Sequence, residues 1–172
     1  MRNGLLTIIV AALAVVATAD QKQTTVALVV QNHCAPNAGI SMVALTDALT
    51  ARLSGQGFKV VNPYNLIGED QNRTAVGEKM PPVSAVELAK GVGAQGVVTA
   101  SVLEFLDSTV GNPPVAHEYS IRLALNLADA QTGAAVCGET IKVKSPKYTI
   151  AQDRANRAEY LGDLMYSAAD QC

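Results

Sequence analysis

The feature that most constrains the fold is the stretch "YSIRLALNLADAQTGAAVCGETIKVK", residues 119–144. Apolar side chains occupy every second position from Tyr119 to Leu127, and polar or small side chains lie between them. A period of two residues is typical of a strand with one buried face. A glycine turn, "DAQTG", leads into a second alternating run, so the stretch predicts an antiparallel hairpin with strands at about 116–129 and 134–144. One face of that hairpin is polar.

Strands and helices alternate before the hairpin. The apolar runs "TTVALVV" (24–30), "FKVVNP" (58–63) and "GVVTASVLEF" (96–105) predict three strands. Two helices are predicted between them, the second short and opened by a capping box at Ser84 and Glu87. A final helix begins at a second capping box, Thr149 and Gln152. Residues at helical spacing mark the first and the last helix: Met42, Leu45, Leu49 and Leu53, then Ala158, Leu161, Leu164, Met165 and Ala168. The predicted order is β-α-β-α-β-β-β-α.

The handedness of crossovers converts this order into a sheet. Connections between parallel strands are right-handed in nearly all proteins. If the first strand lies between the second and the third, the first two helices must occupy opposite faces. We therefore predict an α/β fold with a single mixed five-stranded sheet of order 2-1-3-4-5 and helices on both faces. The second helix is too short to reach the hairpin, so the polar hairpin face is expected to remain open.

The amino terminus, "MRNGLLTIIVAALAVVATADQ", has the pattern of a secretory signal peptide. Its apolar run is shorter than the roughly 20 residues of a membrane span. We predict a signal peptide at 1–19, cleavage after Ala19 and a single periplasmic domain at 20–172. No cysteine follows the cleavage site, so no lipid anchor is expected.

Composition and motifs argue against several classes of function. The formal net charge of −2 provides no electrostatic basis for binding nucleic acid or an anionic membrane. No phosphate-binding or hydrolase motif is present. His33 and Cys34 are adjacent, and neighbouring side chains of an extended chain point to opposite sides, so they make a poor catalytic dyad. His117 lies in phase with the apolar face and is interpreted as a partly buried side chain. We expect no enzyme activity, metal or cofactor.

Three cysteines, Cys34, Cys137 and Cys172, allow one intramolecular disulfide in an oxidising compartment. The predicted fifth strand runs parallel to the first, which places Cys137 at the opposite end of the sheet from Cys34. The last helix must run back toward that end and carry Cys172 with it. A Cys137–Cys172 bond is therefore expected, with Cys34 free.

Three segments resemble a known group of envelope proteins: "VALTDALTARLSGQGFKVVNP", "AKGVGAQGVVTASVLEF" and "YSIRLALNLADAQTGAAV". In order and spacing they are similar to the fold shared by the TolB N-terminal domain, the curli-secretion protein CsgG and LpoB, an activator of penicillin-binding proteins. The resemblance covers most of residues 25–170. It implies a non-enzymatic module that acts by binding another envelope or periplasmic protein.

The open hairpin face is the predicted binding surface. Its polar side chains come from both strands: Ser120, Arg122, Asn126, Thr140, Lys142 and Lys144. Arg122 suits recognition of a carboxylate on a partner. Three alternatives remain open. The lysines only protect an edge strand from aggregation; the strand at 134–144 pairs with a second copy in a structural or secretion-related envelope component; or the protein is a small periplasmic hydrolase. The protein is accordingly expected to be a monomer or a weak homo-oligomer.

Overall fold

The computed structural model describes residues 23–34, 40–63 and 85–171. The strands are β1 (Thr25–Asn32), β2 (Lys59–Val61), β3 (Gly96–Val110), β4 (Ala116–Asp129) and β5 (Ala135–Thr149), and the helices are α1 (Met42–Gly55), α2 (Ala85–Gly91) and α3 (Ile150–Asp170). The sheet order is β2-β1-β3-β4-β5. β1 is parallel to both β2 and β3, whereas β4 and β5 join in antiparallel fashion. The predicted fold class and strand order are confirmed.

The larger core lies on the face of the sheet that α1 and α3 cover. The first turn of α1 is fixed by Ser41, whose hydroxyl accepts a hydrogen bond from the amide of Ala44 at 3.2 Å. Its apolar stripe packs on β1, β2 and α3, while α3 packs on β4 and β5. The fully buried members include Leu28, Leu45, Val102, Tyr119, Ile121, Leu123 and Met165. The hairpin's apolar positions therefore face the helices, as the alternation predicts.

A smaller core lies on the opposite face, beneath α2. It joins Ala89 and Ala94 to Ala27, Val29 and Val97 of the parallel strands. A seven-residue helix is only about 10 Å long, and α2 packs on β1 and β3. Among the described residues, no helix covers β4 and β5 on this face. Ser84 of the predicted capping box lies outside the described residues.

β3 is longer than its sequence pattern predicts, because it continues past Phe105 to Val110. The pairing of β3 with β4 shifts between Val102 and Glu104, which leaves Leu103 as an extra residue, a β-bulge. The bulge changes the phase of the strand, so "VLEFLDSTV" does not alternate across it. Residues 106–110, which lie beyond the end of the predicted strand at 105, continue the strand and pair with the start of β4.

The start of α3 also departs from the predicted stripe. The capping box of Thr149 and Gln152 is present, but the helix is kinked at Asn156, where φ is −130°. The kink changes which residues face the sheet on its two sides. Ala158, expected in the core, is exposed, while Asp153 is buried.

The predicted Cys137–Cys172 bond is not formed in the structure, where Cys137 is a free thiol. Cys172 lies outside the described residues. Cys137 does lie on the helix-facing side of β5, as its phase predicts. The 21 residues of α3 rise only about 30 Å, whereas the strand from Cys137 to Thr149 spans about 40 Å. The returning helix therefore ends short of the beginning of β5.

Candidate interaction surface

Three strands project beyond the end of β1. β1 pairs with β3 only as far as Val102, whereas β3, β4 and β5 continue together for several residues more. We call this part the extension; it consists of residues 103–110, 116–122 and 142–149. Its two faces differ, because α3 covers one and no described helix covers the other.

The open face of the extension consists of cross-strand rows. In one row Glu104, Arg122 and Lys142 lie side by side on β3, β4 and β5. The Glu104 carboxylate is 3.8 Å from Nε of Arg122 and 3.5 Å from Nζ of Lys142. A second pair joins Nζ of Lys144 to Oε2 of Glu118 at 3.1 Å. The surface therefore carries charges of both signs, whereas the charged residues in the predicted set are all basic.

Five of the six predicted binding residues are exposed on this face. They are Arg122, Asn126, Thr140, Lys142 and Lys144. Ser120 is different, since only 6% of it is exposed. It lies in register between Leu106 and Lys144, and these longer side chains cover it. Ser120 is thus poorly placed to contact a partner directly.

Glu104 and Glu118 were missed as members of the surface. Glu104 follows the bulge at Leu103, so its face could not be obtained by counting along the strand. Glu118 lies within the predicted hairpin strand, at a position in phase with Ser120 and Arg122. Extending the alternation two residues toward the amino terminus would have found it.

The covered face of the extension carries a hydrogen-bonded network that the sequence did not reveal. The Tyr119 hydroxyl donates a hydrogen bond to the buried carboxylate of Asp153. Arg157, one helical turn later, donates to Asp107 at 2.8 Å and lies 3.5 Å from Asp153. Asp107 in turn lies 2.9 Å from Nδ1 of His117. Two strands of the sheet and α3 are joined by these contacts.

Ring contacts accompany this network. The guanidinium carbon of Arg157 is 5.2 Å from the centroid of the Tyr119 ring, within the range of a cation–π interaction. Phe105 and His117 stack on either side of that ring along the sheet, at centroid distances of 6.1 and 6.4 Å. Tyr119 is therefore the centre of the covered face.

The titration of these groups follows from their surroundings. Burial raises the pKa of the Asp107 carboxyl, but hydrogen bonds from His117 and Arg157 outweigh burial and leave the pKa below its ordinary value of 3.8. Burial, together with the hydrogen bond to Asp153, raises the pKa of the Tyr119 phenol well above its ordinary value of 10. Asp107 thus favours its charged form and Tyr119 its neutral form.

The two described cysteines are poor nucleophiles. Burial raises the pKa of the Cys34 thiol above 9.0, against a hydrogen bond from the backbone of Phe105. Burial likewise raises the pKa of Cys137. A reactive cysteine needs the opposite shift, toward the thiolate. His33 is exposed, while Sγ of Cys34 lies 3.8 Å from the carbonyl oxygen of Val102.

Within the described ranges, no three side chains of histidine, cysteine, aspartate or glutamate come together as a metal site would require. No helix in the same ranges has the length and apolar character needed to cross a bilayer.

Comparison with known proteins identifies the fold. No family model and no curated protein matches the chain. The lipoprotein GNA1162 from Neisseria meningitidis matches with a TM-score of 0.56 at 15% identity, over 86% of this chain and 96% of that one. The LpoB C-terminal domain from Salmonella enterica has a TM-score of 0.45 at 15% identity, over 79% and 93% of the two chains. A PelC dodecamer from Paraburkholderia phytofirmans has a TM-score of 0.46 at 14% identity, over 90% of each chain.

At these identities the likeness to GNA1162 shows the fold alone. LpoB, which the sequence resemblance names, is among the solved structures that match. The resemblance to the TolB N-terminal domain and to CsgG stays a prediction. The chain shares its α/β fold with a bacterial lipoprotein, at a TM-score of 0.56.

Proposed function

We propose that the protein is a non-enzymatic interaction module of the bacterial cell envelope, and that it binds another periplasmic or envelope protein through the open face of the β4–β5 hairpin. The observation that carries this proposal is the exposed charge lattice around Arg122 and Lys142 on a sheet face that no described helix covers. Such a face offers a flat, polar docking surface on a rigid sheet.

The geometry of the ion pairs supports binding of a carboxylate. Glu104 is shared by Arg122 and Lys142 at distances of 3.8 and 3.5 Å, and both cationic side chains are about half exposed (47% and 48%). Exposed pairs of this kind contribute little to stability. A partner's aspartate or glutamate can therefore replace Glu104 as the ligand of Arg122 at small cost to the fold. The guanidinium group is well suited to such recognition.

A non-enzymatic role is supported by the chemistry of the described side chains. Cys34 and Cys137 are held as thiols by burial. His117 is engaged by Asp107 and Tyr119 rather than by a nucleophile. A general base needs a substrate proton or a nucleophile within hydrogen-bonding reach.

The proposed location rests on the predicted signal peptide. The same fold also occurs in a protein named as a lipoprotein. Amino-terminal sequencing of the protein recovered from a periplasmic extract tests the location. We expect the sequence to begin at Asp20, and recovery of uncleaved protein from the cytoplasm would contradict it.

A comparison of charge reversals tests the binding surface. The wild-type protein, the double variant Arg122→Glu with Lys142→Glu, and a matched control, Lys59→Glu with Arg154→Glu, are immobilised and exposed to envelope extract. Both residues are exposed, but Lys59 is on β2 and Arg154 is on α3, which packs on the opposite face of the hairpin. Proteins retained by the wild type and the control, but not by the hairpin variant, are the candidate partners.

The purified candidate is then measured by surface plasmon resonance at two ionic strengths. We expect the hairpin reversal to slow association more than it speeds dissociation, because surface charge acts mainly on the rate of encounter. Equal losses in the hairpin variant and the control would show that overall charge, not this face, governs binding. Unchanged binding in both would place the partner elsewhere.

A further inference from the structure

The sheet has two long edges in the described part of the chain, and they differ in chemistry. The outer edge is β5, which carries Lys142, Lys144 and Lys147, as well as Pro146 at a pairing irregularity. Lysine, proline and bulges are the features that prevent an edge strand from pairing with another chain. The second edge is residues 103–110 of β3, which run beyond the end of β1 and contain neither lysine nor proline. We call this stretch the β3 edge.

Alternate residues of the β3 edge direct their backbone N–H and C=O groups away from β4. The carbonyl of Val102 accepts a hydrogen bond from the amide of His33, the last backbone contact from the β1 side. Beyond the bulge, the amide of Phe105 faces the same side, since it donates toward the Cys34 sulfur. Alternation then directs the N–H and C=O groups of Asp107 and Thr109 outward. No described residue pairs with those groups.

The two carboxylates of the β3 edge do not protect it, because both are neutralised within the molecule. Glu104 is shared by Arg122 and Lys142, and Asp107 is held by His117 and Arg157. Leu103 and Leu106 are 39% and 42% exposed beside them. An exposed apolar strand with unpaired backbone groups is a template for strand addition.

We propose that the β3 edge pairs in antiparallel fashion with the β3 edge of a second copy of this chain, with Ser108 opposite Ser108 on a two-fold axis. The self-complementarity of the segment carries this choice. In this register Asp107 lies opposite the partner's Thr109, and Leu106 lies opposite the partner's Val110. No like charges face each other, and apolar side chains meet on the open face.

Two alternative registers, centred on Asp107 and on Leu106, are less favourable. Centring the pair on Asp107 places two carboxylates directly opposite each other, which is destabilising. Centring it on Leu106 brings the second copy against Val102, where the backbone site is already occupied by His33. The chosen pairing involves about five residues a side, far less than the roughly 800 Å² per partner of a standard interface. The dimer is therefore weak and forms at high protein concentration.

A cysteine placed on the axis tests the register. Opposed residues without mutual hydrogen bonds have Cα atoms about 4.5 Å apart, within the range that a disulfide spans. With oxidised glutathione, Ser108→Cys should give a covalent dimer in several-fold higher yield than Ser167→Cys, a control on α3 that is also exposed. Both variants keep the native cysteines, so their background is the same. Equal yields from the two variants would overturn the proposal.

A second variant tests the edge without a new cysteine. Under reducing conditions, sedimentation of the wild type should show a dimer fraction that grows with concentration, whereas Leu106→Lys should remain monomeric. A wild type that stays monomeric throughout would overturn the proposal, and so would protection of the Asp107 and Thr109 amides from hydrogen exchange in dilute monomer. Preferential crosslinking of Thr140→Cys would assign self-association to β5 instead.

Discussion

The two faces of the extension use similar side chains to different effect. On the covered face, Asp107 and Arg157 are 2.8 Å apart within a network that also engages buried Tyr119 and Asp153. On the open face, Glu104 approaches Arg122 only to 3.8 Å, and both side chains remain in contact with water. The residues of the two faces alternate along the same strands.

Burial of Tyr119 and Asp153 distinguishes the covered face, because the two arginine–carboxylate pairs are about equally exposed: 44% and 29% for Arg157 and Asp107, against 47% and 33% for Arg122 and Glu104. Charges and hydrogen-bonding groups removed from water must find partners within the protein, and losing one partner leaves the other unsatisfied. Exposed ions exchange a weak protein contact for water with little change in free energy. We therefore expect the covered face to determine stability and the open face to determine association. Four measurements test this division.

The largest effect is expected from a pair of neighbouring residues on β4. Ile121 is fully buried on the covered face, and Arg122 is exposed on the open one. Ile121→Ala should lower the free energy of unfolding by about 3 kcal/mol, because it removes buried methyl groups and leaves a cavity. Arg122→Ala should change it by less than about 0.5 kcal/mol. Chemical denaturation measures both, and similar losses would refute the division.

Removing the carboxylate that accepts from Tyr119 should have an intermediate effect. Asp153→Ala leaves a buried hydroxyl without its acceptor and should cost about 2 kcal/mol. Asp153→Asn keeps a side-chain oxygen at the same place and should recover part of that loss. The same denaturation assay applies. If Asp153→Ala and Asp153→Asn lowered the free energy of unfolding equally, the hydrogen bond would not be the source of the stability.

The Asp107 network predicts a dependence on pH. The folded-state pKa of Asp107 is below its ordinary value of 3.8, so its ionised form stabilises the fold. That contribution is complete above the pKa of the unfolded chain and is lost as the pH falls through the folded pKa. The stability difference between the wild type and Asp107→Asn should therefore be constant near neutrality and shrink below about pH 4. A stability difference between the wild type and Asp107→Asn that grows as the pH falls would contradict this prediction.

The smallest effect on stability is expected from the charge reversal used to test binding. Arg122→Glu with Lys142→Glu places new carboxylates beside Glu104, but all three groups are in contact with solvent. We expect a loss of no more than about 0.5 kcal/mol, as is usual for surface substitutions. Thermal unfolding measures it. A variant that fails to fold would show that the open face is part of the core.

Regular patterns made most of the fold predictable. The alternation from Tyr119 to Leu127 identifies the hairpin and its buried face correctly, because strand geometry places alternate side chains on opposite sides. The predicted strand order is correct, and with strand one between strands two and three the handedness rule puts the first two helices on opposite faces. The capping box at Thr149 and Gln152 marks the true start of α3.

Errors arose where the backbone departs from a regular repeat. The bulge at Leu103 conceals the second half of β3 and the position of Glu104. The helix is kinked at Asn156, and Ala158, expected in the core, is exposed while Asp153 is buried. Neither irregularity has a local sequence signal such as proline or glycine, so neither could be located by counting positions.

The sequence by itself determined which side of the hairpin is buried, how the strands are ordered and why one sheet face is left uncovered by α2. These properties depend on local periodicity, helix length and chirality, which act along the chain. Only the tertiary structure decided that Glu104 and Glu118 lie on the predicted polar surface, that Ser120 is buried and that Tyr119 donates a hydrogen bond to Asp153. Those contacts join residues distant in sequence, and their partners depend on a one-residue bulge and a helix kink that set the register in three dimensions.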